Sequence, residues 1–131
     1  MKANELMIGD WVCYDGDENH ECPVRIDAIN TEDAGVEGDY YDVWEPIPLT
    51  PEILKKNRFK YYEPYDPEIK TEGYKSNDNR IHIRREKTSE SDWFCIIYTK
   101  GMMEELMLGI SYVHELQHAL KLCGIEKEIV L

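Results

Sequence analysis

The stretch Ser111 to Gly124, SYVHELQHALKLCG, decides the fold class. Ser111 offers a hydroxyl to the first free N–H groups, Gly124 can end the helix in the left-handed conformation, and Lys121 suits the negative end of its dipole. Val113, Leu116, Leu120 and Cys123, flanked by Tyr112 and Ala119, fall on one stripe at helical spacing. The pattern predicts an amphipathic helix with that stripe in the core. The segments before it are strands. Arg80-Ile81-His82-Ile83-Arg84 alternates strictly, and Trp93 to Tyr98, WFCIIY, is a continuous apolar run of the kind found in a central strand. A closing helix preceded by strands makes the chain α+β.

Working outward, the charged stretch Arg85 to Asp92 joins those two strands as a β-hairpin, the second of the chain. Leu106 to Ile110 reads as a further extended segment, with Met102 to Leu108 as an alternative helix start. Tyr61 to Asn79, polar and rich in Tyr, Pro and Gly, reads as a long irregular connection or a poorly formed hairpin. Thr50 to Asn57, TPEILKKN, reads as a short middle helix: Thr50 is the N-cap, Pro51 takes the first helical position, and Asn57 tolerates a left-handed exit. Before it, Pro46 and Pro48 break a run of three short strands, Ile8 to Tyr14, Val24 to Ala28 and Asp39 to Trp44, separated by acidic turns. These predict a curled antiparallel amino-terminal sheet, by analogy a small SH3-like barrel. The expectation is one domain over residues 1–131, with an acidic β sub-structure at 1–49 and an α+β sub-structure at 50–131.

Length and composition agree with one domain. The chain has 131 residues, 42% hydrophobic and 32% charged, enough to bury a core without disulfides. The four cysteines, Cys13, Cys22, Cys95 and Cys123, form no C-x-x-C pair and are expected as small buried hydrophobes. No apolar run reaches the roughly 18 residues of a membrane span, and the amino terminus turns acidic where a signal peptide would be apolar. A cytoplasmic protein is therefore expected. The net charge of −12 is uneven: residues 1–49 carry 13 acids against Lys2 and Arg25, while the remaining 82 carry 14 acids and 13 bases. So negative a surface repels phosphate backbones and anionic lipid, so direct nucleic-acid and membrane partners are not expected.

His114-Glu115-Leu116-Gln117-His118 matches H-E-x-x-H, in which two histidines one turn apart hold zinc and the glutamate activates its water. A catalytic zinc needs a third protein ligand and an open position. Lys121 and Gly124 stand where a metzincin would have glycine and histidine. The 13 residues after His118 are too few for a packed helix carrying a ligating Glu. A ligand would have to come from upstream, such as His82, Asp92 or Glu104. The expectation is a solvated polar helix face with no zinc. The alternative is a small zinc-dependent hydrolase with His114 and His118 as ligands and Glu115 as general base.

Three blocks, ANELMIGDWV (3–12), PIPLTPEILKKNRF (46–59) and YVHELQHALKLCGIEKEI (112–129), resemble a family of small uncharacterised proteins of anaerobic gut bacteria and their phages or integrated elements. The blocks are specific and spread over most of the chain. In that pattern Gln and Asn can stand at the positions matching Glu115 and His118, which a hydrolase would not tolerate. The resemblance implies a mobile-element context and supplies no catalytic residue.

Three further groupings carry chemistry in principle. Asp15-x-Asp17-x-Asn19 imitates the start of a calcium loop, but His20 and Ile26 stand where that loop needs Gly and Glu. Cys13, His20 and Cys22 match no standard zinc spacing. Arg80, His82, Arg84 and Arg85 predict one exposed basic strand face and the main candidate binding surface, the alternative being a solvated strand or an internal partner for the acidic half. The function expected is a non-enzymatic protein-binding or accessory module without cofactor. Beside it stand the zinc hydrolase and an acidic decoy that occupies a nucleic-acid-binding protein. The oligomeric state is not readable from these residues.

Overall fold

The computed structural model describes residues 5–14, 22–30, 32–41, 43–64, 71–86, 93–98 and 105–131. The protein is α+β, with antiparallel sheets and two helices. It divides into two compact units, Met1–Pro48 with Tyr112–His118, and Leu49–Ser111 with Ala119–Leu131. No helix of the described residues is long and apolar enough to cross a membrane.

The first unit holds two three-stranded sheets. In one, β1 (Trp11–Tyr14) lies between β2 (Val24–Arg25) and β6 (Trp44–Pro46). In the other, β4 (Ala34–Val36) lies between β3 (Ala28–Ile29) and β5 (Asp39–Tyr41). The expected strands are thus present but split, and no closed barrel forms among the described residues. Asp27 marks the split, since its N–H bonds Gly35 O in the second sheet just after Ile26 N–H has bonded Asp10 O near the first. Leu6, Val12, Ile26, Ala34 and Trp44 form the core, with Tyr14, Val24 and Val36 against it. Trp44 keeps its indole N–H satisfied at the carbonyls of Ala34 and Tyr41, as a buried Trp must.

The second unit is a five-stranded antiparallel sheet in the order β11-β10-β9-β8-β7: Glu105–Ile110, Trp93–Tyr98, Ile81–Glu86, Thr71–Lys75 and Lys60–Tyr62. The expected hairpin of β9 and β10 is its centre. The extended reading of Leu106 to Ile110 holds, and of the two readings of Tyr61 to Asn79 the hairpin is the one seen, since β7 pairs antiparallel with β8. Aromatic contact explains why that Tyr-rich stretch is ordered sheet. Gly73 faces Tyr62 in register, and the Tyr62 ring lies where a Gly73 Cβ would stand, 2.7 Å from its Cε1. Tyr74, Ile81, Ile83, Trp93, Cys95 and Ile97 are buried. Burial pushes the Cys95 thiol up to about 12, so it stays an inert thiol.

Helix α1 (Pro51–Lys56) forms as its sequence predicts, with Thr50 Oγ1 accepting from Ile53 N–H. Its exit differs. Arg58, not Asn57, takes the left-handed conformation at φ 65°, and Asn57 is buried. The Asn57 amide clamps the carboxy-terminal segment by donating to Val130 O and accepting from Val130 N–H, both within 2.8 Å. Helix α2 (Val113–Leu122) ends as expected at Gly124, φ +67°. Its start lies one residue later than Ser111 implied: Tyr112 takes the cap position, and Glu115 Oε1 accepts the Tyr112 N–H at 3.1 Å. The Val113 N–H is taken by Ile47 O at 2.9 Å.

The cysteines divide into two kinds. Cys95 and Cys123 are free, but Cys13 and Cys22 form a disulfide, contrary to the expectation of four small hydrophobes. Pairing of β1 with β2 explains it, because Val12 opposite Val24 brings Cys13, the next residue of β1, near Cys22, two residues before Val24, at a Cα separation of 5.0 Å. His20 and the Asp15 to Asn19 turn lie outside the described residues.

Candidate functional site

The site grows from a turn of the first unit. Gly9 adopts φ +98°, a conformation open to glycine, and so brings Asp10 back under the preceding residues. Asp10 N–H donates to Met7 O at 3.1 Å, while its carboxylate Oδ2 accepts the Met7 N–H at 2.7 Å. The turn is pinned to Ile26 by two further backbone bonds, Gly9 N–H to Ile26 O and Ile26 N–H to Asp10 O. Asp10 is thereby held at 2% exposure, a charge that needs a partner.

Helix α2 supplies that partner. His118 Nε2 lies 2.6 Å from Asp10 Oδ2, with 24% of its side chain exposed. One residue earlier, Gln117 bridges the same turn, its Oε1 accepting from Trp11 N–H at 3.0 Å and its Nε2 donating to Gly9 O at 2.9 Å. Glu115 closes the helix cap, and Leu116 is fully buried. The polar face of the helix was expected to be solvated. It is instead engaged, because residues 7–11 lie along it and present backbone groups that must find partners.

His114 differs from its neighbour. It is 7% exposed, and its buried Nδ1 has no hydrogen-bond partner among the described residues. Burial, more than any charge nearby, pushes its pKa below the usual histidine range, so the ring is neutral at pH 7; Asp10 opposes that shift and His118 adds to it. The ring is stacked on Tyr112 at 5.9 Å with 14° between planes and meets His118 edge-on at 5.5 Å. A surface cavity of about 360 Å³ opens here, lined by Glu5, Pro46, Tyr112, His114, Glu115 and His118.

The two histidines of the motif are thus neighbours, but His118 Nε2 faces a buried carboxylate. A metal on that nitrogen would have to take the place of the shared proton. Among the described residues no group of three His, Cys, Asp or Glu side chains is arranged to hold a metal ion. Of the upstream ligands considered, Asp92 and Glu104 lie outside the described residues. His82 has both ring nitrogens engaged, Nδ1 with Tyr62 Oη at 2.8 Å and Nε2 with Asn79 O at 2.9 Å.

The basic strand is less open than its alternation implied, since Arg80, His82, Arg84 and Arg85 are all partly buried. Arg84 Nε donates to Tyr62 Oη at 2.6 Å, so that hydroxyl is free to donate to His82 Nδ1 and the His82 proton belongs on Nε2. Arg80 Nε donates to Tyr98 O at 3.3 Å. Arg85 departs to the other face, where it pairs with Glu72 opposite it on β8 and covers the Trp93 ring at 4.1 Å. Cross-strand partners one strand away take up these cations, which the alternation of β9 alone does not reveal. Asp10 and Gln117, by contrast, escaped sequence reasoning. The one signal for Asp10 was Gly-Asp at the start of β1, and nothing local links it to a helix 108 residues later.

No protein-family model, curated protein or solved structure matches the chain.

Proposed function

We propose that the protein is a non-enzymatic binding module that recognises a basic protein partner, in the mobile-element setting implied by its sequence resemblance. The observation that carries the non-enzymatic part is the engagement of the four HELQH side chains after His114. Glu115 caps its own helix, Leu116 is core, Gln117 bridges two backbone groups and His118 is hydrogen-bonded to a buried carboxylate. A general base must be free to take a proton from water, and a metal ligand must have its lone pair free. Each of these residues already does structural work.

The basic-partner part rests on charge. Residues 1–49 hold a net −11 in the formal count, and acids such as Glu32, Glu37 and Glu45 are exposed. Such a field attracts a cationic surface and raises its association rate, more at low salt than at high. The test uses a peptide of alternating Arg and Gly and its acidic counterpart Glu-Gly. The Arg peptide should bind and weaken with salt, and the combined Glu32→Gln, Glu37→Gln and Glu45→Gln variant should slow association. In parallel, protein incubated with zinc and then desalted should retain no stoichiometric metal. Tight zinc retention lost on His118→Ala, or failure of the Arg peptide to bind at low salt, overturns the proposal.

A further inference from the structure

One face of the five-stranded sheet gathers positive charge, in a chain of 27 acids and 15 bases. Across β7, β8 and β9, Lys60, Lys75 and His82 form one row of directly opposed residues, and Tyr62, Gly73 and Arg84 form the next row of the same face. Like charges set directly opposite on neighbouring strands destabilise a sheet, so the Lys60–Lys75 pair calls for compensation. Gly73 has no side chain, and the Tyr62 ring fills its place. Lys75 Nζ and the Arg84 guanidinium then lie 5.3 and 5.6 Å from the centroid of that one ring.

No carboxylate supplies the compensation. Among the described residues the ammonium groups of Lys60 and Lys75 make no hydrogen bond or ion pair, and Arg84 makes one bond, from Nε to the neutral Tyr62 hydroxyl. Its two terminal NH2 groups remain to be used. Arg85, on the opposite face of the same strand, shows the contrast, since it pairs with Glu72. Glu86, the next residue of the cationic face along β9, lies opposite Thr71 and pairs with none of the three cations. His82 adds no charge of its own. Burial above all, with Arg84 and Lys75 adding to it against the Asn79 carbonyl, pushes its pKa below the usual histidine range.

We propose that Lys60, Lys75 and Arg84 form a binding site for a phosphate monoester on this sheet face. Such a group carries about −1.5 to −2 charge at pH 7 and three acceptor oxygens. That suits two ammonium groups beside a guanidinium fork, whereas a carboxylate would balance one cation only. The net −12 of the chain opposes an extended phosphate backbone, but residues 50–131 hold 14 acids against 13 bases. At about 0.15 M salt, charges beyond about 8 Å are largely screened, so the local cations govern a single phosphate. The inference is independent of the basic-partner reading.

The experiment titrates the full chain with inorganic phosphate, phenyl phosphate and acetate, each against sodium chloride at matched ionic strength, and follows the His82 ring and the Arg84 Nε–H by NMR. Both phosphates should give saturable shifts and acetate none. Phosphate should also raise the titration midpoint of His82 by offsetting the neighbouring cations, a signature read in the unmutated protein that no folding defect of a variant can imitate. Lys60→Gln, Lys75→Gln and Arg84→Gln should each weaken phosphate by about tenfold, the scale of one charge-assisted contact, and Arg84→Lys should recover part of the loss. Lys56→Gln, at an exposed position of α1, should leave binding unchanged. Phosphate shifts no larger than those of chloride, acetate binding as tightly as phosphate, or an affinity indifferent to the three Gln variants overturns the site. Binding of inorganic phosphate without phenyl phosphate overturns the monoester assignment.

Discussion

Asp10 is a residue whose importance lies wholly in its surroundings. Buried at 2% exposure, it depends on Met7 N–H and His118 for the hydration it has lost. His118→Ala should therefore destabilise the protein by about 2 to 4 kcal/mol, somewhat below the usual cost of orphaning a buried charge because His118 is partly exposed. Asp10→Asn should recover part of that loss in the double variant, which a urea titration of the four-member cycle would measure. Gln117→Ala should cost about 1 to 3 kcal/mol by removing the amide that accepts from Trp11 N–H and donates to Gly9 O, which keeps its Arg25 Nε donor, where a solvated glutamine would cost almost nothing. A denaturant midpoint equal to that of the parent would show that water replaces the amide without loss. His114 adds a pH dependence. Its pKa is lowered in the folded protein by burial, so the unfolded chain binds the proton more readily. Its contribution to stability is complete above the ordinary value of 6.5 and is lost as pH falls below it. Burial shifts His82 the same way. Replacing His114 by Phe should flatten the decline in urea midpoint between about pH 7 and pH 5, and leaving that decline unchanged would assign it to other groups.

At the scale of elements, α2 and the five-stranded sheet respond to different losses. Leu116 is fully buried on the apolar stripe, so Leu116→Ala should cost about 2 to 5 kcal/mol through the cavity it leaves. Apolar and polar faces of this helix thus both matter, the first by packing and the second by bridging the Met7 to Trp11 turn. In the sheet, Gly73→Ala sets a Cβ against the Tyr62 ring and so disturbs the hydroxyl that joins Arg84 to His82. It should lower the thermal midpoint, and Tyr62→Ala in the same chain should relieve the clash, so that the two losses combine less than additively. Additive losses would show that the ring can move aside freely. The helix stripe, the caps of α1, the stop at Gly124 and the hairpin of β9 and β10 were all legible, because each depends on neighbours within a few residues. The β7 and β8 pair was legible only as one of two readings, since turn-forming residues disguise a strand whose order comes from an aromatic ring lying on a glycine one strand away.

Over the whole molecule, charge is the property that the amino-acid order determined directly. The net −11 of residues 1–49 is present before any folding, and the proposed basic partner rests on it. The fold class was likewise legible, since α+β follows from the periodicities of Ser111 to Gly124, Arg80 to Arg84 and Trp93 to Tyr98. Motif and alternation reached only as far as single elements. HELQH was readable as two histidines on one helical face, yet the same spelling serves a zinc site or a latch. The choice depends on what faces His118. Tertiary structure placed Asp10 there, together with Gly9 and Trp11 for Gln117, and left the His114 Nδ1 without a hydrogen-bond partner among the described residues. It also turned the basic strand inward onto Tyr62, Tyr98, Glu72 and Trp93, and brought Cys13 to Cys22. The physical reason is common to all of these. Helical and strand periods arise from backbone geometry and are written in consecutive residues, whereas the state of a buried polar group is set by whichever distant group desolvates it and completes its hydrogen bonds.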